Sequence, residues 1–129
     1  MASDKLTRAT IWEDGGATCL ARVYGNAGTA ITQASLSAIG CKVFDQDSTA
    51  PATAVASTSL TVASVVFDTL QTGGPWSKDA TGYNFKHTLS SSWFATGNHR
   101  YRVEYKFDPA SGPDFFVNYE LFAKEVFTS

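Results

Sequence analysis

The sequence predicts an all-β fold, a sandwich or barrel of about seven to eight strands with at most one short helical turn. Three observations carry this. Tyr101, Val103, Tyr105 and Phe107 alternate strictly with Arg100, Arg102, Glu104 and Lys106, the period of a half-buried strand. Clusters of Gly, Pro, Asn and Asp recur at intervals of about ten residues, the spacing of strand-connecting turns. Helical periodicity is nearly absent along the chain.

Taken in order, Met1 to Arg8 mixes charged and small polar residues and is expected to be a flexible arm (1–8) ahead of one sandwich domain (9–129). Thr10 to Glu13 is expected to form a short first strand. Ala17 to Tyr24 and Ile39 to Phe44 show a period of two, with a turn at Gly25-Asn26-Ala27-Gly28 between them. Ser48 to Thr58, mostly Ala, Thr and Ser with Pro51, reads as an exposed loop or edge excursion. Ser59 to Asp68 is rich in β-branched residues and predicts a strand. Gly82 to Leu89 predicts another, with Tyr83, Phe85 and His87 on one face. Ser90 to Phe94 begins with consecutive serines that can cap one helical turn. His99 to Phe107 is the clearest strand. Asp108 to Pro113 supplies turn chemistry, and Asp114 to Phe127 is a long final strand.

Hydrophobic residues make up 43% of the 129 and charged residues 17%, which excludes a disordered chain. Ten Lys and Arg against twelve Asp and Glu give a net charge of −2, so bulk electrostatics offers nothing to phosphate backbones or anionic lipid. Neither nucleic acid nor a membrane is an expected partner. The longest apolar clusters, near Val62 to Phe67 and Phe115 to Val117, fall far short of the roughly 20 residues of a spanning helix. The N-terminus lacks the apolar core of a secretory signal, so cytosolic synthesis is expected. In that setting Cys19 and Cys41, both on predicted core faces, are expected to be buried free thiols rather than a disulfide.

Catalytic chemistry finds little to stand on. No third ligand accompanies His87 and His99, which lie in neighbouring predicted strands, at metal-binding spacing. Asp45 and Asp47, with Ser48 and Thr49, hint at a cation loop but lack its sixth-position Gly and twelfth-position Glu, so a solvated strand-end turn is expected. The nucleophile elbow is missing, and Gly25 to Gly28 lacks the Lys-Ser/Thr ending of a phosphate loop. No enzyme activity, metal or cofactor is expected.

Two features point to binding. Arg100, Arg102 and Lys106, with Lys86 expected on an adjacent strand, suggest a positive strip on the outside of a sheet. Phe116 and Phe122 fall on the opposite face of the last strand from Phe115, Tyr119 and Leu121. A strand apolar on both faces is covered on both, either by an extra segment or by another subunit.

The order of elements carries a resemblance. Asp14-Gly15-Gly16 precedes Leu20-Ala21-Arg22-Val23; Ala30 to Ile39 leads into Lys42-Val43-Phe44-Asp45; Thr81-Gly82-Tyr83-Asn84-Phe85 and Gly97-Asn98-His99-Arg100-Tyr101-Arg102-Val103-Glu104-Tyr105 follow. From about Ala9 to Val126 this resembles the immunoglobulin-like β-sandwich domains of tailed-phage structural proteins, among them the N-terminal domain of baseplate upper proteins. The resemblance implies an immunoglobulin-like antiparallel sandwich and a virion structural role. Baseplate upper proteins continue into further modules, whereas an acidic sandwich of this size also resembles small capsid decoration, or cement, proteins.

The expectation is therefore a non-enzymatic virion protein, a decoration protein on the outer capsid lattice. The expected partners are the major capsid protein or other virion proteins, with a homo-oligomer, favoured as a trimer. Contacts are expected from Trp76, Trp93, Phe116 and Phe122, with Arg100 and Arg102 steering the approach. A tail or baseplate accessory protein is one alternative. A carbohydrate-binding module, stacking exposed Trp and Tyr rings on sugars, is another.

Overall fold

Alternating segments pair into two facing sheets in the computed structural model, which describes residues 6–25, 28–74, 76 and 78–125. The strands are β1 (Leu6–Trp12), β2 (Ala17–Ala21), β3 (Leu36–Asp45), β4 (Ala54–Leu60), β5 (Val66–Gln71), β6 (Tyr83–Leu89), β7 (His99–Pro109) and β8 (Phe115–Lys124). One sheet has five strands in the order β1-β8-β7-β3-β4, the other three in the order β2-β6-β5. The expected all-β sandwich is thus the observed architecture. The expected single turn is present as a 3-10 turn at Ser91–Trp93, although the Ser90 side chain makes no cap bond.

Several local expectations change. Strand β1 begins at Leu6, so Leu6, Thr7 and Arg8 belong to the sheet and not to a free arm; residues 1–5 lie outside the described residues. It pairs in parallel with β8, so the sandwich is not wholly antiparallel. Strand β2 stops at Ala21, and Tyr24 instead bridges Ala30 across the turn, whose residues 26 and 27 lie outside the described set. The last strand ends at Lys124.

The stretch Ser59 to Asp68 is not one strand. Leu60 ends β4, Val62–Val65 makes one helical turn (α1), and Val66 begins β5. Strand β4 belongs to the five-stranded sheet and β5 to the three-stranded one. The chain must cross the sandwich here, and burial of Val65 and Val66 fixes that crossing despite the strand propensity of the residues. Ala54 to Thr58, expected in an exposed loop or edge excursion, pair with β3 as an edge strand.

Between the sheets, Ile39, Cys41 and Val43 of β3, Tyr101, Val103, Tyr105 and Phe107 of β7, and Phe115, Tyr119, Leu121 and Ala123 of β8 meet Cys19, Val66, Phe85 and Leu89. Phe85 meets Tyr105 edge-on at 4.8 Å and Phe107 at 5.3 Å between ring centroids, which locks the two layers at their centre. Burying each such ring contributes about 1.5–3 kcal/mol. Asn84 is also buried; its amide accepts from Val23 N at 2.7 Å and donates to Val23 O at 3.0 Å, extending the backbone ladder beyond β2.

Candidate interaction surface

The pleat of β7 and β8 decides which residues leave the core. Phe115, Tyr119 and Leu121 are buried, so their neighbours Phe116, Glu120 and Phe122 emerge on the outer face of the five-stranded sheet. Phe116 is 39% exposed and Phe122 half-buried. Strand register places Lys106 beside Phe116 and Arg100 beside Phe122. At the sheet's edge Trp12 is 57% exposed, with the Lys124 ammonium 5.2 Å from its ring centroid. Thr10 lies between Trp12 and Arg8 on β1 and pairs with Phe122.

One row crosses four strands as Arg8, Glu120, Arg102 and Phe44. Arg8 Nε donates to Glu120 Oε1 at 3.0 Å. The Arg102 guanidinium sits 4.6 Å from the Phe44 ring centroid, and its buried Nε has no hydrogen-bond partner among the described residues. The ring holds this arginine in place. A second row runs Phe116, Lys106, Gly40, Ser59. Because Gly40 presents no side chain, a shallow hollow of about 340 Å³ opens there, bordered by Lys42, Ser57, Glu104 and Lys106.

The expected positive strip does not form. Arg100 is held by Asp47, whose Oδ1 accepts from Nη2 at 2.9 Å, and Lys106 lies 3.4 Å from Asp114. Hydrogen bonds from the Arg100 side chain, then from its backbone N–H, hold the Asp47 carboxyl down at about 2. Lys86 lies on β6, in the other sheet. The outer face therefore alternates cation, anion and ring.

Asp45 and Asp47 stand at the strand-end turn, as expected, with Asp47 exposed, but Asp45 is not solvated. Asp45 is buried and accepts from His99 Nδ1 at 2.8 and 2.9 Å and from the Asp47 backbone N–H at 3.0 Å. The pair ties the β3–β4 turn to the start of β7. His87 and His99 do not converge: His87 meets Tyr105 between the sheets, while His99 is held by Asp45 at the start of β7. Among the described residues, no three His, Cys, Asp or Glu side chains gather in a metal-binding group.

Four of the six expected contact residues, Arg100, Arg102, Phe116 and Phe122, share this face. The tryptophans do not. Trp76, in the β5–β6 connection, donates from Nε1 to Asp79 O at 3.0 Å and Oδ1 at 3.2 Å and lies 5.5 Å from the Tyr83 ring. Its ring staples its own loop. Trp93 packs against the core near His87, at 6.4 Å between ring centroids. Nothing in the sequence marks Trp12 as a contact, because a first strand read from Thr10 carries no sign of its partner. Its place beside Lys124 follows from the parallel pairing alone.

Cys19 and Cys41 are free and buried, as expected. Burial raises their thiols to about 11 and about 12. No helix among the described residues is long and apolar enough to cross a membrane. Comparison of the chain with protein-family models, curated proteins and solved structures gives no match in any of the three.

Proposed function

We propose that this chain is a non-enzymatic structural protein of a tailed-phage virion, a decoration protein that seats the outer face of its five-stranded sheet on the capsid lattice. One observation carries this reading: Phe116, Phe122 and Trp12 emerge together on a face that also presents Arg8, Arg100 and Arg102. Aromatic residues and arginine are the types enriched at the energetic centres of protein interfaces. Interleaved Glu120 and Asp47 select a partner with its own alternating charges, since a wrongly placed partner would bring like charges together. Assembly on a tail or baseplate would use the same face.

The test is co-sedimentation with shells assembled from a tailed-phage major capsid protein. Saturable binding of the wild type, lost in F116A/F122A, is expected. Failure of the wild type to bind shells, or its retention by an oligosaccharide array instead, overturns this assignment in favour of an unrelated partner or of carbohydrate binding.

A further inference from the structure

Each sheet of an open sandwich ends in two edge strands, and an unprotected edge is a template for another strand. Three of the four edges here are occupied or guarded. At β5, Gln33 donates from Nε2 to Val66 O at 2.9 Å and from its backbone N–H to Asp68 Oδ1 at 2.7 Å. At β2, Leu20 O accepts from the Tyr119 hydroxyl of the opposite sheet at 3.2 Å. At β1, Arg8 and the large ring of Trp12 stand along the edge.

Strand β4 differs. It pairs only with β3, and among the described residues no other element hydrogen-bonds to its open side. Its sequence, Ala54-Val55-Ala56-Ser57-Thr58-Ser59-Leu60, has no charge and no proline. Val55 is 51% exposed. Among the described residues this edge carries neither charge nor proline, and its one irregularity is a register shift opposite Val43 and Phe44 that leaves Val55 unpaired with β3.

We infer that β4 is the seam of a two-fold dimer, pairing antiparallel with the β4 of a second copy so that two five-stranded sheets become one. The occupant follows from self-complementarity. In a two-fold antiparallel pair the central residue faces its own copy and residues equally far on either side of it face each other, so a charged residue at the centre meets its like. Centred on Ser57, the pairing sets Ala56 against Thr58, Val55 against Ser59 and Ala54 against Leu60, all small or neutral. Backbone groups then find partners without any side-chain conflict. A threefold arrangement cannot pair this strand with itself, so the geometry points to a dimer in place of the trimer expected from capsid symmetry. The seam lies at the sheet's margin, away from Phe116 and Phe122, and does not rest on the lattice reading.

The experiment is native mass by light scattering across a concentration series on wild type, S57K/S59K and F116A/F122A. The wild type and F116A/F122A are expected to reach twice the 13.8 kDa chain mass, while S57K/S59K, which sets a positive charge at position 57 directly against its own copy with the charge at position 59 diagonal to it, stays at one chain. Hydrogen exchange on the wild type provides the second reading: amides of 54–60 should slow by about tenfold or more on dimerisation. This reading decides the matter even where the lysine variant fails to fold. A wild type that stays monomeric, a dimer insensitive to the lysines in folded protein, or β4 amides whose exchange ignores concentration each overturns the inference. Loss of shell binding by F116A/F122A with the dimer intact separates this seam from the lattice face.

Discussion

His87 Nδ1 and the Tyr105 hydroxyl meet at 2.8 Å across the two sheets, joining β6 to β7 by a part-buried polar bond. Buried polar atoms left without partners cost about 1–3 kcal/mol. Tyr105→Phe removes the hydroxyl while keeping the ring that packs on Phe85. It is expected to lose about 1–3 kcal/mol in urea denaturation, with the β signal in circular dichroism unchanged. A loss within about 0.5 kcal/mol would place the stabilisation in the ring alone.

The same burial gives a pH dependence. Desolvation lowers the His87 pKa below its ordinary 6.5. As pH falls through that value the unfolded chain takes up a proton that the folded chain resists, so stability present above about 6.5 declines on acidification. His87→Gln is expected to flatten this part of the profile of melting temperature between pH 7.5 and 5. Asp47 and Asp79, both held down at about 2, supply a second decline that begins near pH 4 and continues toward 2 in both proteins. Identical slopes above pH 5 in wild type and variant would exclude His87 as the source.

Thiol chemistry tests the interior directly. With Cys19 raised to about 11 and Cys41 to about 12, and both side chains buried, neither offers thiolate near neutrality. Alkylation by iodoacetamide at pH 7.5 is expected to be at least about 100-fold slower in the folded protein than in urea, followed by intact mass. Rapid single labelling of folded protein would show one of the strands β2 or β3 to be open.

The β5–β6 connection depends on Asp79. Its carboxylate accepts from the Gly82 and Thr81 backbone N–H groups, each at 3.0 Å, and from Trp76 Nε1 at 3.2 Å, and it pairs with Arg22 at 3.0 Å. Asp79→Ala is expected to release Trp76 and shift tryptophan emission to the red, with little change in the far-ultraviolet spectrum. Gly82→Ala should be worse, costing about 1–3 kcal/mol, because φ there is +103° and a Cβ would stand 2.3 Å from Gln71 O. Unchanged emission in Asp79→Ala would mean that Tyr83 packing alone holds the ring.

What the sequence revealed followed chemical contrast. Strands β7 and β8 were legible because their faces differ sharply, and the same alternation placed Phe116 and Phe122 outside. Strand β4 was hidden because Ala, Ser and Thr carry no such contrast. The helical turn at Val62–Val65 was invisible for another reason: β-branched residues favour a strand locally, and only the need to pass from one sheet to the other bends them. Long-range partners carried no local signal. Arg100 looked like free positive charge until the fold brought Asp47, from beyond the end of β3, against it. Trp76 likewise looked like a contact residue because nothing in the sequence announces that Asp79 captures its indole N–H.

Equilibrium binding of F116A/F122A to assembled capsid shells, with urea denaturation of the same protein beside it, tests the lattice face most directly. Both rings lie outside the core, so the double variant should lose no more than about 1–2 kcal/mol of stability while its affinity for shells falls about 100-fold or more. Undiminished shell binding by a folded double variant would contradict a recognition role for the face that Phe116 and Phe122 share.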